Sequence, residues 1–264
     1  MLNTKLSKSV RTTVRNGLRL SLAVLAAAAA AACTAPMPVA PVADAALYER
    51  AVSSPLRTDE DRASDASRKP VAFLKFAQVM PGMHVLDVAA GGGNTTRLLA
   101  VTVGDSGTVY SQGQAPRPAF EKRLAESPQP NIVPVTRPYD DPLPAGTPML
   151  DLITINLSYH DIANLPLDRI AMDRRLFEAL KPGGHLVVID HAARAGSGAS
   201  DTKTLHRIDE TLVRDDMAQV GFKLEQSGDY LRNPEDAHVK KSSEMERMSD
   251  RFALRFVKPV EGAR

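Results

Sequence analysis

The sequence has only one cysteine, Cys33, in 264 residues. A single thiol cannot form an internal disulfide, which excludes the disulfide-rich class of exported domains. The chain also lacks an internal repeat and a concentrated basic patch, so it has neither the pattern of a repeat protein nor the charge of a nucleic-acid-binding protein. Its longest apolar run is too short for a comfortable membrane span. These absences favour one globular domain.

The chain begins with a leader pattern. Five basic residues and no acidic residue fall within the first 19 positions, and Leu20 to Ala32 is an apolar stretch that ends in an alanine tract. This order predicts a secretory signal peptide over residues 1–32. The whole chain has 33 Lys+Arg and 31 Asp+Glu; without the five basic residues of the leader the counts are 28 and 31, a net charge of about −3.

Cys33 directly follows Ala30, Ala31 and Ala32. Small residues before a cysteine resemble the lipobox of bacterial lipoproteins, which implies that Cys33 is acylated, becomes the mature N-terminus and anchors the chain to a membrane. The alternative is an ordinary A-x-A cleavage site with an incidental cysteine. Residues 33–43 are rich in proline and alanine and predict an extended tether, so the folded domain is expected over residues 44–264.

The stretch from Val85 to Leu99, VLDVAAGGGNTTRLL, organises this domain. A short apolar run ends in Asp87, glycines follow at 91–93, and a helix-compatible segment begins near Thr95. Strand, glycine turn and helix form the opening unit of a doubly wound α/β domain, in which ligands bind at the turn. The glycines allow a ligand to approach the backbone, and the helix N-terminus offers unpaired N–H groups.

Six further apolar segments predict strands, and helical patterns separate most of them. The segments are 108–111, 131–136, 150–157, 185–190, 223–227 and 250–258. The third of these, LDLITINL, is almost entirely apolar, as expected of a strand that is buried on both faces. Pro134 cannot donate a ladder hydrogen bond, so its strand is expected to be short or to lie at an edge. A helix is predicted over residues 205–220.

The glycine turn has features of two nucleotide-binding patterns. A dinucleotide turn requires a glycine where Thr96 stands and an acidic residue about 20 positions on, which the next strand does not supply. Asp87, Gly91 and Gly93, with Ala89 in place of the first glycine, match D-x-G-x-G-x-G. They resemble motif I of the class I methyltransferases, which depend on S-adenosylmethionine (SAM). A tight turn without a ligand is the alternative.

Other phrases extend this resemblance over residues 70–259. The LKPGG turn and the F-x-L-x-F-x-K-P ending are common in that fold, and YHDI, IDHAARAGSG, LHRID and LRNPEDAH resemble a group of exported predicted methyltransferases. The resemblance implies an α/β, Rossmann-like, doubly wound sheet of seven mostly parallel strands with an antiparallel last strand. It also implies SAM as the cofactor. It names no acceptor, and a small molecule is expected.

The resemblance implies a cofactor-binding set between the glycine turn and the end of the fourth strand: Asp87, Ala89, Gly91, Gly93, Gln112, Asp140 and Asn156. Gln112, or less favourably Gln114, stands where the family has an acidic residue that bonds both ribose hydroxyls. An amide oxygen accepts from one hydroxyl but carries no charge. Asp140 or Asp141 is expected at the adenine amino group, or else in a polar turn.

The fourth strand leads into Tyr159, His160 and Asp161, where the resemblance places groups beside the transferred methyl. Methyl transfer requires an aligned nucleophile and often a base that takes its proton, and His160 can act as that base near neutral pH. Asp161 would orient His160, and Tyr159 completes the predicted catalytic set. The alternative is that His160 only packs at the strand end.

A second polar set follows the fifth strand at Asp190 and His191, with His206 and Asp209 expected on one face of the next helix. If this set converges with His160, it forms either a divalent-metal site or a hydrogen-bonded wall of the substrate pocket. The spacing matches no standard metal motif, so no metal is assigned to the predicted site.

The charged segment 54–69 predicts either a solvated helix or a cover over the ligand site, with Arg57 or Arg68 toward the substrate or the SAM carboxylate. The favoured interpretation is an exported, lipid-anchored, SAM-dependent methyltransferase with a small-molecule acceptor and no nucleic-acid partner. The alternative is an exported binding protein with the same fold and no catalysis, which the missing ribose carboxylate favours. The oligomeric state does not follow from the sequence.

Overall fold

The computed structural model describes residues 45–246 and 248–260. The predicted signal peptide, Cys33 and the predicted tether lie outside these residues. None of the described helices is both long enough and apolar enough to cross a membrane.

The strands form a single sheet. They are β1 (His84–Val88), β2 (Thr108–Gly113), β3 (Ile132–Thr136), β4 (Leu150–Asn156), β5 (Leu180–His191), β6 (Lys223–Gly228) and β7 (Arg251–Val257). Their spatial order is β3-β2-β1-β4-β5-β7-β6, and β7 runs antiparallel to both neighbours while the other pairs are parallel. The predicted seven-stranded, Rossmann-like sheet is confirmed. The strand order reverses between β1 and β4, which is where such sheets bind ligands.

Helices lie on both sides of the sheet. The described helices are α1 (Ala45–Ser53), α2 (Asp59–Ala63), α3 (Asp65–Arg68), α4 (Pro70–Ala77), α5 (Asn94–Val103), α6 (Pro118–Glu126), α7 (Tyr159–Ile162), α8 (Arg169–Ala179), α9 (Thr202–Leu205) and α10 (Glu210–Gln219). Successive side chains of β1 point to opposite faces. Val85 joins the core beneath α4 and α5, and Leu86 joins the core beneath α8 and α10.

The edge strand β3 carries Pro134, as its sequence predicts. The N–H of Val109 donates to the carbonyl of Asn131, and the N–H of Arg137 donates to the carbonyl of Gly113. Asn131 and Arg137 therefore face β2. Backbone groups alternate in direction along a strand, so Pro134, three residues from each, directs its backbone nitrogen toward the open edge.

The helix predicted over 205–220 begins later than expected, at Glu210. The segment before it is bound to the end of β5, because the N–H of Ile208 donates to the carbonyl of His191 at 2.9 Å and the N–H of Ala193 donates to that of Ile208 at 3.0 Å. His206 has a φ of +50°, which interrupts the helix. The prediction that His206 and Asp209 share one helical face is therefore wrong.

Candidate functional site

Asp87 lies near the C-terminal end of β1, buried beneath the glycine turn. Its Oδ2 accepts a hydrogen bond from Thr96 Oγ1 at 2.6 Å, and its Oδ1 accepts one from Thr154 Oγ1 at 2.9 Å. Burial raises the pKa of Asp87 to about 6, although the two hydroxyls and the charges of Arg117 and Arg68 act in the opposite direction. The carboxyl group is held in place by α5 and β4 and titrates close to neutral pH.

The turn after β1 passes through left-handed backbone at Ala89, with φ +53°, and at Gly91, with φ +51°. Ala89 adopts the conformation for which the motif has glycine, at a cost in free energy to a residue with a Cβ. A Cβ on Gly91 would meet no atom within 4 Å, but a Cβ on Gly93 would lie 2.2 Å from Phe120 Cε2. Gly91 therefore leaves space open above the turn, whereas Gly93 is required by packing against Phe120.

Two adjoining cavities lie above this turn. The first cavity, of about 340 Å³, has lining residues on the turn, on α3 and at the end of β4, among them Arg68, Asp87, Gly92, Thr95 and Asn156. The second cavity, of about 470 Å³, has lining residues beyond β2 and β3 and on α7, among them Gln114, Arg117, Tyr139 and Asp161. Ala89, Gly91 and Ser158 line both. The cavities therefore meet at the switch point of the sheet.

The charged segment 54–69 forms one wall of the first cavity. Asp61 of α2 is fully buried; its Oδ1 forms an ion pair with Arg123 of α6, and its Oδ2 lies 3.7 Å from Arg97 Nε of α5. The amide of Asn94, at the start of α5, donates to the Asp61 carbonyl at 3.1 Å. These contacts bind the N-terminal helices to the helix that follows the glycine turn.

The structure distinguishes between the two arginines that the sequence offered as partners for a ligand carboxylate. Arg57 is buried, and its guanidinium donates to Asp65 Oδ2 at 2.8 Å and to the Val52 carbonyl at 2.9 Å. Arg68 lines the first cavity, and no described residue accepts a hydrogen bond from its guanidinium. Burial lowers the pKa of Arg68, and the charge of Asp87 partly offsets this. Arg68 is therefore the cation that is available to a ligand there.

The structure reverses the preference between the two glutamines. Gln112 is fully buried; its Oε1 accepts from the N–H of Ala89 at 3.0 Å, and its Nε2 donates to the Arg137 carbonyl at 2.7 Å. Its amide holds the glycine turn and is occupied on both sides. Gln114 is exposed and lines the second cavity. Gln114 is therefore placed to contact a ligand, and Gln112 supports the turn from behind.

The two aspartates predicted at the adenine amino group are not among the residues that line either cavity. Asp141 is exposed and forms an ion pair with Arg137, and Asp140 is also exposed. The neighbouring Tyr139 is half-buried and lines the second cavity. Sequence reasoning missed Tyr139, although an aromatic residue just after the third strand was a signal that could have been used.

The end of β4 contributes Asn156, one of the predicted cofactor-binding residues, to the lining of the first cavity. Its Nδ2 donates to Thr95 Oγ1 at 3.3 Å, so the side chain joins β4 to the start of α5. The next residue, Leu157, has a φ of +59°, an uncommon value for a branched side chain, and its N–H donates to the carbonyl of Ile189 at 2.7 Å. This bend brings Ser158 to the boundary between the two cavities.

Tyr159 points away from both cavities. The ring is fully buried, and its hydroxyl donates to Asp173 Oδ2 at 2.7 Å and lies 3.0 Å from Asp216 Oδ2. Burial raises the pKa of Asp173 to about 8. The sequence placed Tyr159 in the catalytic set, but the structure gives it contacts inside the core, where it fastens α7 to α8 and α10.

His160 is buried and bound to the end of β5. Its Nδ1 lies 2.7 Å from Asp190 Oδ1, and its backbone N–H donates to Asp190 Oδ2 at 2.8 Å. Burial lowers the pKa of His160, but the hydrogen bond and charge of Asp190 and the charge of Asp161 outweigh it, so the net shift is upward. Asp190 therefore orients His160, and a larger share of the imidazole is protonated than in an ordinary histidine.

The sequence placed Asp190 in a polar set separate from His160. The pairing of β4 with β5 shows why the two residues meet. Asn156 of β4 pairs with Ile189 of β5, so the residues just beyond these two strand ends are neighbours. Asp161 also approaches His160, with its Oδ1 3.3 Å from His160 Nε2, because both residues belong to the short helix α7 rather than to a strand. Asp190 of the second polar set therefore converges with His160, as the sequence left open.

His191 and His206 lie beside His160, Asp161 and Asp190, and these five residues form the histidine cluster. The ring centroids of His191 and His206 lie 5.7 Å and 5.6 Å from that of His160. His191 Nδ1 lies 2.7 Å from Ser249 Oγ, and burial with nearby cations lowers the pKa of His191 to about 3. His206 Nδ1 lies 3.5 Å from Asp161 Oδ1. Asp209 instead caps α10 and accepts from the N–H of Gly196 at 2.7 Å.

Comparison with known proteins identifies similar sequences that match only in part. The chain is 26% identical over 141 residues, 53% of its length, to a fibrillarin-like rRNA/tRNA 2'-O-methyltransferase of Pyrobaculum neutrophilum, of which the match covers 58%. It is 28% identical over 124 residues, 45% of its length, to a demethylmenaquinone methyltransferase of Symbiobacterium thermophilum, of which 46% is covered. The chain thus spans about half the length of these curated relatives. No protein-family profile matches it.

Solved structures match over more of the chain. A SAM-dependent methyltransferase from Aquifex aeolicus aligns with a TM-score of 0.55 and 17% identity, covering 81% of this chain and 98% of that protein. At this identity the likeness concerns the fold. Together with the strand order, it shows that the chain has the fold of the class I methyltransferases.

Proposed function

We propose that the protein is a SAM-dependent methyltransferase that methylates a small molecule. The observation that carries this proposal is the pair of cavities that meet at Ala89, Gly91 and Ser158, above the switch point of a class I methyltransferase sheet. An elongated cofactor fits such an arrangement, because one half can occupy each cavity while its centre lies beside the glycine turn.

The residues of the first cavity suit the methionine half of SAM. That half carries a carboxylate, an ammonium group and a sulfonium. Arg68 supplies a cation that no described side chain neutralises by direct contact, and Asp87 supplies an anion at the same cavity. The open space above Gly91 allows close approach to the backbone. The donor set therefore fits a ligand that carries both charges.

The residues of the second cavity suit the adenosine half. Gln114 offers an amide to a ribose hydroxyl, and the half-buried ring of Tyr139 offers an aromatic face or edge to a base. Gln112 stands where the resemblance implies a ribose-binding carboxylate, and its amide is already bonded to Ala89 and Arg137, so the proposal gives it no contact with the ribose hydroxyls. We therefore expect the methionine half of SAM to contribute more of the binding free energy than the adenosine half.

When bound, SAM supplies an electrophilic methyl group on its sulfonium. Direct displacement would join the acceptor atom to this carbon with loss of the carbon–sulfur bond, and the proton of the acceptor would pass to a base or to solvent. The protein's task is alignment of the acceptor. Asp161 of α7 lines the second cavity, His160 Nε2 lies 3.3 Å from Asp161 Oδ1, and Asp190 fixes the orientation of the His160 imidazole. They form the side of the site that handles the acceptor.

Calorimetric titration of the full-length protein with SAM and with its demethylated product tests the cofactor assignment. We expect one binding site for each protein molecule and affinities of the same order for the two ligands, since the product keeps the adenosine, carboxylate and ammonium groups and loses only the methyl and the sulfonium charge. Absence of binding by both would contradict the proposal. A panel of quinols, phenols, amines and thiols, with transfer RNA as a separate arm, then tests the acceptor class.

The panel also distinguishes the alternatives. Methylation of a small molecule supports the proposal, and methylation of RNA alone would contradict the small-molecule assignment. SAM binding without any methylated product would favour a binding protein that kept the fold and lost catalysis. The RNA arm is included because one relative is named as an rRNA/tRNA methyltransferase.

We also propose that the protein is exported and lipid-anchored. The supporting observations are the basic and apolar leader over residues 1–32 and the small residues before Cys33. Mass spectrometry of the mature N-terminus is expected to find cleavage before Cys33 with lipid on that residue. An intact Met1, or cleavage at another position, would overturn this part of the proposal.

A further inference from the structure

We propose that His160, Asp161 and His206 form a binding site for a divalent transition-metal ion of the zinc type. The His160 ring nitrogen, an Asp161 carboxylate oxygen and the His206 ring nitrogen all lie within 4.8 Å of one another. Two imidazoles and one carboxylate are a common ligand set for zinc and its neighbours, and three protein ligands leave a coordination position open for water or substrate.

The spacing of these atoms suits a shared ion better than direct hydrogen bonds. Asp161 Oδ1 lies 3.3 Å from His160 Nε2 and 3.5 Å from His206 Nδ1. Charge-assisted N–H···O bonds are about 2.7–2.9 Å long. Two atoms bound to one tetrahedral zinc ion at about 2.0–2.1 Å lie roughly 3.3 Å apart. The observed distances are therefore long for hydrogen bonds and close to the separation of two zinc ligands.

The surroundings of His160 provide the support that metal-binding histidines usually have. Its Nδ1 is bound to the buried carboxylate of Asp190 at 2.7 Å, which leaves Nε2 to face Asp161. A carboxylate on the second ring nitrogen fixes the orientation of a ligating imidazole and increases its basicity. The same carboxylate accepts from the backbone N–H of His160, so the start of α7 is fixed together with the ring.

One of the three proposed ligands is buried and the other two are exposed, so the site is open to solvent on one side. The His160 side chain is 5% exposed, and those of His206 and Asp161 are 48% and 60% exposed. An ion can therefore enter from solvent and bind against a fixed, buried ligand. His206 reaches this position from the left-handed turn that follows α9, and Asp161 also lines the second cavity, so a bound ion would stand at the edge of that cavity.

The charges nearby act in both directions. The carboxylates of Asp161 and Asp190 lie 3.3 Å and 2.7 Å from the two ring nitrogens of His160, so negative charge surrounds this proposed ligand. Arg251, Arg207 and Arg68 act electrostatically on the neighbouring His191 and disfavour added positive charge on that side. The proposed ligands lie on the carboxylate side of the cluster, and His191 is already engaged with Ser249.

The test is titration with Co²⁺, whose visible spectrum reports coordination by nitrogen and oxygen, followed by calorimetry with Zn²⁺. The full chain is prepared without a histidine tag and with Cys33→Ser, which removes its only thiol. We expect one ion for each molecule. His206→Asn tolerates the left-handed backbone, removes the imidazole and should lower the affinity by more than about 100-fold, since loss of an outer partner alone costs about 10–100-fold.

Asp161→Asn should have a similar effect, and Asp190→Asn should lower the affinity by about 10–100-fold without changing the stoichiometry. His185→Asn is the matched control, because His185 Nε2 lies 3.2 Å from Glu225 in a comparable imidazole–carboxylate pair elsewhere on the sheet. Zn²⁺ should raise the unfolding temperature of the parent chain and of the His185 variant, but not that of folded His206→Asn.

Retention of full affinity by His206→Asn, an equal loss in His185→Asn, or no stoichiometric binding by the parent chain would each overturn the proposal. Metal binding is measured without cofactor or acceptor. Its failure is therefore distinguishable from failure of the proposed methyl transfer.

Discussion

The first cavity and the histidine cluster both lie at the C-terminal edge of the sheet. They differ in whether their carboxylates are already bound by other residues of the fold. At the turn, Asp87 accepts from two threonine hydroxyls, and Asp61 is surrounded by arginines and backbone. In the histidine cluster Asp190 is similarly bound, but Asp161 stands 3.3–3.5 Å from two imidazoles that do not hydrogen-bond to it. The carboxylates of the first region are therefore bound within the fold, whereas the Asp161 carboxylate of the second makes no hydrogen bond to a described residue and is available to a ligand.

The largest expected effect tests the scaffold. Gly93→Val should reduce the free energy of unfolding by roughly 2–5 kcal/mol, because a β-branched residue at φ +81° is strained and its Cβ would overlap Phe120. Chemical denaturation with intrinsic tyrosine fluorescence measures the loss. A variant as stable as the parent would show that the helix start is less tightly packed than the structure indicates.

Gly91→Ala is the matched control for Gly93→Val. Its φ of +51° is also left-handed, but its Cβ would meet nothing within 4 Å. We expect a loss of only about 1 kcal/mol in stability, together with weaker SAM binding because the methyl group enters the space above the turn. If the two substitutions lower the free energy of unfolding equally, the assignment of Gly93 to packing and of Gly91 to ligand approach is wrong.

The second prediction concerns the histidine cluster. His160→Ala should lower turnover by roughly 10²-fold, because the variant loses the group that Asp190 holds at the acceptor side. SAM affinity should change little, since His160 is not among the residues that line either of the two cavities assigned to SAM. Single-turnover kinetics and calorimetry give the two quantities separately. A parallel loss of SAM affinity would place His160 in the cofactor site instead.

The third prediction concerns the free cation of the first cavity. Arg68→Met should weaken SAM binding by about 10–100-fold, because hydrogen bonds to charged groups contribute about 1.5–3 kcal/mol. Arg50→Met, on the exposed face of α1, is the control and should leave the affinity unchanged. Removal of the carboxylate from the ligand should abolish the difference between parent and Arg68→Met. Persistence of that difference would assign Arg68 to another contact.

The smallest effect is a pH dependence. Asp87 has a pKa of about 6, so it is about 90% ionised at pH 7 and about 10% ionised at pH 5. Its ionised form favours a cationic ligand, and SAM affinity should therefore fall about tenfold as the pH falls from 7 to 5. Asp87→Asn should bind more weakly at pH 7 and lose most of this dependence. An unchanged pH profile in Asp87→Asn would assign the titration to another group.

The sequence predicted the parts of this molecule that depend on local pattern. Apolar runs and turn residues identified all seven strands of the described sheet, and D-x-A-x-G-x-G identified the turn that lines both cavities. The sequence did not predict the role of a residue where that role depends on the direction of its side chain. Gln112 and Gln114 are two residues apart, yet one holds Ala89 from behind while the other lines a cavity. Only the packing beneath the turn distinguishes them.

The same limit applies to contacts between distant segments. No spacing rule links His160 to Asp190, which are joined because their strands are neighbours in the sheet. Tyr159, adjacent to His160, turns into the core because α7 begins at that residue and α8 and α10 supply its carboxylate partners. Residues adjacent in sequence therefore have opposite roles, which only the three-dimensional arrangement reveals.

Pro134 has a consequence for association between copies of the protein. An open sheet edge is a template for pairing with another chain, and aggregation begins at such edges. On β3 the outward position in the middle of the strand has no N–H to donate, so an incoming strand would lose a hydrogen bond there. At the opposite edge, β6 carries a register irregularity between Leu224 and Gln226, which disturbs a flat ladder. Each edge therefore opposes the addition of a further strand.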